Sequence, residues 1–167
     1  MQTLIQTNVS QLSYLKSVLE TVSDLEYSDP LPDSAALFAF TIGQQTRHIL
    51  DHYLVFQEYF ESDRLDYYLR KRSETLEKEK ATALQTIAAI ISLLESITEN
   101  KTILVQSEGR IDTQNEFIQS SLAREISFLA THTIHHLAIL KIMINFIGKP
   151  CHEDTGVAPA TLEYLNK

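Results

Sequence analysis

Cysteine is almost absent from this chain: Cys151 is the single one among 167 residues, so no intrachain disulfide framework can form. Tryptophan is missing, and glycine and proline number only four each. Turn-rich β folds need more of both, so the scarcity favours long helices. No apolar run continues unbroken for the length of a membrane span. The opening residues, MQTLIQTNVS, lack the basic and apolar regions of a signal peptide. Cations are the minority, 14 Lys and Arg against 22 Asp and Glu, for a formal charge of −8. No Lys/Arg stripe is present to take a phosphate backbone. Neither nucleic acid nor membrane is therefore an expected partner, and the expected location is the cytoplasm.

What is present is apolar material in helical register. Hydrophobic residues make up 44% of the chain, enough for one core, and 1–167 reads as a single domain. A first helix is expected from about Asn8 to Leu25, with Leu12, Leu15, Leu19 and Val22 on one stripe. SDPLPDS then stops it. A second is expected to start at Thr41, whose spacing to Gln44 fits a capping box, and to run through Ile42, Ile49, Phe56 and Phe60 to about Ser62. A third spans about Ser73 to Thr98, with Leu84, Ile87, Ile91 and Leu94 inward. The fourth spans about Ser121 to Ile147, through Leu122, Ile126, Leu129, Thr133, His136, Leu140 and Met143, and stops at Gly148 and Pro150. Between the last two, Thr102 to Gln106 and Glu116 to Gln119 predict a small β-hairpin turning at Glu108-Gly109. The tail reads as irregular, with Val157, Leu162 and Leu165 in need of cover. The fold class predicted is all-α, a four-helix bundle with unequal connections.

Five of the six histidines fall on two of these helices. His48/His52 and His132/His136 are both four apart, so each pair stacks on one helix face. Two such imidazoles can converge on one ion, and a helix packed alongside can bring a third. His136 lies on the apolar stripe and His132 beside it, whereas His135 is rotated away. A lone inward histidine is more often a hydrogen-bonded core residue than a ligand. Two inward pairs on two amphipathic helices tip the balance towards a metal. Thr133 follows His132, so the glutamate base of the H-E-x-x-H proteases is missing.

At TIGQQTRHILDHY (41–53), LDYYLRKR (65–72), SLAREISFLATHTIHHLAIL (121–140) and GVAPATLEY (156–164) the chain resembles the DinB superfamily, the DinB/YfiT-like helical metalloproteins. The resemblance spans most of the chain. It implies a bundle of that type with a three-histidine metal site: His48, five residues after Gly43, together with His132 and His136. It implies a divalent ion, nickel or zinc foremost. It also implies a small-molecule substrate, with hydrolysis or S-transfer from a low-molecular-weight thiol as the chemistry. The chain departs from the family at Gln45, where relatives often carry a histidine. His52 is thereby left with three roles: a fourth ligand, a proton carrier or a residue of the rim.

Three imidazoles leave positions open on an ion, which suits catalysis more than structure. His52, His135 and Asp51 are the groups expected to move protons or orient a histidine. Glu125 reads equally as a buried acid needing Arg124, Arg47 or a histidine, and as an ordinary first-turn acid. Tyr67, Tyr68, Arg70 and Arg72 would line a pocket mouth and hold an anionic group, or form a solvated loop. Cys151 beside His152 reads as an incidental thiol. The rival function is non-catalytic: a metal-binding or small-ligand-binding bundle that forms a homodimer through an apolar helix face.

Overall fold

A computed structural model describes residues 1–31, 37–59, 62, 64–106 and 116–165. The chain is mostly helical with a small three-stranded sheet. The elements are α1 (Gln2–Thr21), α2 (Asp24–Ser28), α3 (Ile42–Glu58), β1 (Arg64–Leu65), α4 (Glu74–Lys78), α5 (Lys80–Ser96), β2 (Thr102–Gln106), β3 (Phe117–Ser121), α6 (Leu122–Phe146) and α7 (Pro159–Leu165). α1 packs on α5 and α6, and α3 packs on the same two. The expected stripes face inward: Leu12, Leu15, Leu19 and Val22 are buried, as are Ile87 and Leu94, and so is the α6 series from Leu122 to Met143 apart from half-buried His136.

Caps explain where several helices begin. Thr41 accepts from the Gln44 amide while Gln44 reaches back to Thr41, the reciprocal pair expected. Ser23 and Glu26 form a second capping box, which starts α2 and so divides the expected first helix after Thr21. Ser121 caps α6. The expected third helix is also divided. Glu79 is extended (φ −110°, ψ 98°), separating α4 from α5. The cause is tertiary. α4 lies against the start of α3, where a Cβ on Gly43 would stand 2.0 Å from the Glu77 carbonyl oxygen. Tyr27 donates to the Leu76 carbonyl and Arg47 pairs with Glu77 at 3.3 Å, so the helix must bend at Glu79 to reach them.

β2 and β3 pair antiparallel from Thr102↔Ser121 to Gln106↔Phe117, the hairpin expected with a third strand added. That strand, β1, runs parallel to β2, and two residues in a charged connector leave no periodic signal. Phe60 and the Glu108-Gly109 turn lie outside the described residues. α7 replaces the irregular tail. There Val157 and Leu162 find partial cover while Leu165 stays exposed. Gly156, at φ +71°, presses on the α6 backbone at Leu137–Ala138.

α6 is, by length and composition, apolar enough to cross a membrane, although no unbroken apolar run was expected. Its polar residues, among them Arg124, Glu125, Thr133, Lys141 and three histidines, interrupt the run, yet its mean hydropathy still reaches 1.2. A core helix passes the same test, and α6 is packed on α1, α3 and β3.

Candidate metal centre

The histidines meet where α3 crosses α6. One buried polar knot keeps these helices in phase. Asn8 on α1 donates to the Ile126 carbonyl at 3.0 Å, and the Tyr53 hydroxyl donates to Asn8 Oδ1 at 2.8 Å. Tyr53 and Thr133 follow His52 and His132 in sequence, so the phase that buries this knot also turns the two histidine pairs toward one another.

His48 Nε2 and His132 Nε2 are 3.2 Å apart. The rings of His48 and His136 are 4.5 Å apart between centroids, those of His132 and His136 also 4.5 Å, and those of His52 and His132 3.9 Å. Four imidazoles therefore share one spot. The three whose donor atoms all lie within 4.8 Å of one another are His48, His52 and His132. The expected triad of His48, His132 and His136 shares two members with this set. His136 stands alongside, with Nδ1 held 2.7 Å from Gln45 Oε1.

Hydrogen bonding fixes two tautomers. Nδ1 of His52 is 2.8 Å from the His48 carbonyl oxygen, which can only accept, so Nδ1 carries the proton and Nε2 a lone pair. Likewise Gln45 Oε1 accepts from His136 Nδ1, leaving the His136 Nε2 lone pair free. A ligating histidine is usually held in this way through its other nitrogen. His132 departs from the pattern, because its Nδ1 is buried without a hydrogen-bond partner.

All four rings are neutral at pH 7. Burial lowers His48 to about 4, helped by the fields of His52, Arg70, Arg47 and Arg72. Burial also lowers His52 to about 4, with Arg70 and His136 adding to it against the His48 carbonyl. His132 is lowered to about 2 by burial and by the other three rings, and His136 to about 4 by burial, His48 and His135. A divalent ion needs neutral imidazole, so no proton has to be displaced at neutral pH.

These residues fit an ion. Two nitrogens 3.2 Å apart, each bonded at about 2.0–2.1 Å, subtend roughly 100° at the metal, between the octahedral and tetrahedral angles. An all-imidazole donor set suits nickel or zinc and is poor for magnesium or calcium.

The other expected residues divide. His135 is exposed, its ring 5.1 Å from that of His136. Asp51 is 2% exposed but pairs with Arg47 at 3.3 Å rather than orienting a histidine. Burial raises its pKa, against the pull of Arg47, Arg70 and Arg72. Glu125, fully buried in the first turn of α6, takes Arg124 at 2.9 Å, Ser120 at 2.6 Å and the Tyr67 hydroxyl at 3.2 Å. Of the connector, Tyr67 is buried and Tyr68 exposed. Arg70 Nη1 lies 3.1 Å from His52 Nε2, and Arg72 is exposed with φ 48°. Cys151 is a half-buried free thiol, and His152 packs on Tyr14 away from the cluster.

Sequence reasoning missed Phe128. Its ring stands 5.8 Å from His132, 6.2 Å from His52 and 5.1 Å from Tyr67, walling the cluster. It precedes His132 by four residues, so helical spacing alone would have found it. Gln45 entered that reasoning as a departure from the family pattern that alters the outer shell; its Oε1 lies against His136 Nδ1.

A cleft of about 460 Å³ runs along α3, lined by Asp51, Leu54, Leu69, Lys71 and Thr82 among others, with no histidine.

No family model matches the chain, and no solved structure matches it. Among curated proteins it is similar to FK506-binding protein 5 of Rhizopus delemar, 29% identical over 110 residues, a match covering 62% of this chain and 28% of that protein. The chain thus spans under a third of the length of the curated relative it matches.

Proposed function

We propose that the histidine cluster is a divalent-metal centre in a DinB-like four-helix bundle, and that the protein is a metal-dependent enzyme acting on a small molecule by hydrolysis or thiol S-transfer. α1, α3, α5 and α6 are the long helices, each packed on two of the others, which supports the bundle. The observation that carries the metal reading is the Nε2–Nε2 approach of His48 and His132 at 3.2 Å. Without an ion, these two neutral, half-buried rings either pass one Nε2 proton between them or set two lone pairs face to face.

His48 and His132 are the central ligands, with His136 completing the set the family resemblance implies. When bound, the ion would polarise an electrophile and lower the pKa of a water or a thiol. Gln45 holds the His136 ring through Nδ1, which leaves Nε2 as its donor atom for an ion. Phe128 and buried Tyr67 keep solvent from one side, which strengthens every charge interaction inside. Arg70 places a permanent cation next to the donors, suited to a thiolate or carboxylate. Asp51, committed to Arg47, braces the Arg47 link to Glu77 on α4 rather than moving a proton. We take the protein to be cytoplasmic and homodimeric.

One observation favours the binding-protein alternative: the cleft beside Asp51 is lined by no histidine, so a ligand seated there would not reach the ion. The test is elemental analysis of the purified protein with a nickel and zinc titration. About one equivalent is expected, lost in His132→Ala. No binding of either ion at neutral pH overturns the metal reading. Binding accompanied by unfolding on chelation makes the site structural, and binding without turnover in a thiol-transfer and hydrolysis screen leaves the alternative.

A further inference from the structure

His52 has one lone pair to offer, and Arg70 holds it. The Nδ1 proton of His52 is committed to the His48 carbonyl at 2.8 Å, which leaves Nε2 as the acceptor. Arg70 Nη1 donates to that atom at 3.1 Å. A guanidinium has donors only and stays charged at any working pH. Among the described residues no carboxylate forms an ion pair with Arg70, so its hydrogen-bonded partner is this imidazole. Yet His52 belongs to the set of three whose donor atoms lie within 4.8 Å of one another, and it is itself only 3% exposed. It has nowhere else to turn.

We propose that Arg70 and a divalent ion compete for the Nε2 lone pair of His52, so that Arg70 is a built-in gate and His52 a ligand released only when the gate opens. This rests on the metal-centre reading above and goes beyond it, because it adds a ligand and names the group that restrains it. A metal and a guanidinium cannot share one lone pair, and two cations within a few ångströms repel. Metal entry therefore breaks the Arg70 bond. Arg70 sits on the connector after Tyr67–Leu69 and is half-buried rather than locked in a helix, so it can swing to solvent. Once displaced, it stands beside the ion as a cation without a carboxylate, placed to pair with an anionic ligand.

The test is a cobalt and zinc titration of the full chain as wild type, Arg70→Met, His52→Ala and the double variant. Removing a charge-assisted competitor should tighten binding in Arg70→Met by about ten- to a hundredfold. The double variant should bind no more tightly than His52→Ala. Equal or weaker binding in Arg70→Met, with wild type still taking one equivalent, overturns the gate and leaves the metal centre standing. Binding by none of the four removes the metal centre and the gate with it. Nitrogen NMR of wild-type His52 covers the case in which Arg70→Met fails to fold. Zinc should shift its Nε2 resonance to the metal-bound position, and an unmoved resonance in zinc-loaded protein overturns the gate.

Discussion

The Tyr53 hydroxyl lies 2.9 Å from Thr133 Oγ1, buried between α3 and α6. It also donates to Asn8 Oδ1 at 2.8 Å, so one oxygen ties three helices at the level of the histidines. An apolar contact in its place would tolerate sliding, because dispersion has no direction. Hydrogen bonds do not, and the register they set decides which imidazoles face which.

Tyr53→Phe should therefore cost more than its size suggests. It leaves Asn8 Oδ1 buried without its donor, while Thr133 keeps its own bond to the Leu129 carbonyl at 2.8 Å, a loss of about 1–3 kcal/mol. Chemical denaturation should show a lower midpoint with an unchanged slope. Metal affinity should fall too, although Tyr53 touches no ion. A variant as stable as the parent would remove the knot from the account of how the site is held.

Gln45→Ala should weaken metal binding by about ten- to a hundredfold, the usual effect of removing a partner that orients a ligating histidine. The reason is the 2.7 Å bond from His136 Nδ1 to Gln45 Oε1, which fixes ring and tautomer together. Gln45→Glu keeps the acceptor and should retain most of the affinity. Calorimetric titration of the three proteins decides it. Equal affinity in all three would mean that His136 does not ligate.

Much of this was readable without coordinates. The capping box at Thr41, the Ser121 start of α6, its stop at left-handed Gly148 and the inward phase of the α6 histidines all follow from local rules. The Arg47–Asp51 pair also has i,i+4 spacing, but from the sequence Arg47 is offered to Glu125 and Asp51 to a histidine. What escaped depends on groups far apart in sequence. Lys78, Glu79 and Lys80 are adequate helix formers, and the break there comes from docking α4 onto Gly43. His52 and His136 have the same helical credentials. Their difference lies in what faces them, Arg70 in one case and Gln45 in the other, and helical spacing says nothing about either.

The metal-free protein should lose stability as acid is added, beginning above the carboxylate range. His48, His52 and His136 titrate near 4 in the folded chain and His132 near 2, all below the ordinary value of about 6.5. Between those limits the unfolded chain binds more protons, so stability rises with pH. The contribution is complete above about 6.5 and is lost as pH falls through the folded values. Thermal unfolding of chelator-treated protein should show a clear drop between pH 7 and pH 5.5. Saturating zinc should enlarge the drop, because protons then compete for ligand atoms as well. A melting temperature unchanged across that window would contradict the buried, neutral state of the cluster.

Gly43→Ala tests whether the backbone near His48 is as crowded as it looks. The added Cβ would meet the Glu77 carbonyl oxygen at 2.0 Å and the Tyr27 carbonyl oxygen at 3.0 Å. Neither is the end of a flexible side chain, so α2 or α4 must move. Alanine is otherwise the better helix residue by up to about 1 kcal/mol, which makes the sign informative. Overpacking should win by about 1–3 kcal/mol. The strain should appear first at α4, where Gln44 bonds Glu77 at 2.9 Å and Arg47 pairs with it at 3.3 Å. Hydrogen exchange should report faster amides in Glu74–Lys78 than in α6, and metal affinity should fall less than in Gln45→Ala. A stabilised Gly43→Ala would mean that α4 does not rest on α3 and that the bend at Glu79 has another cause.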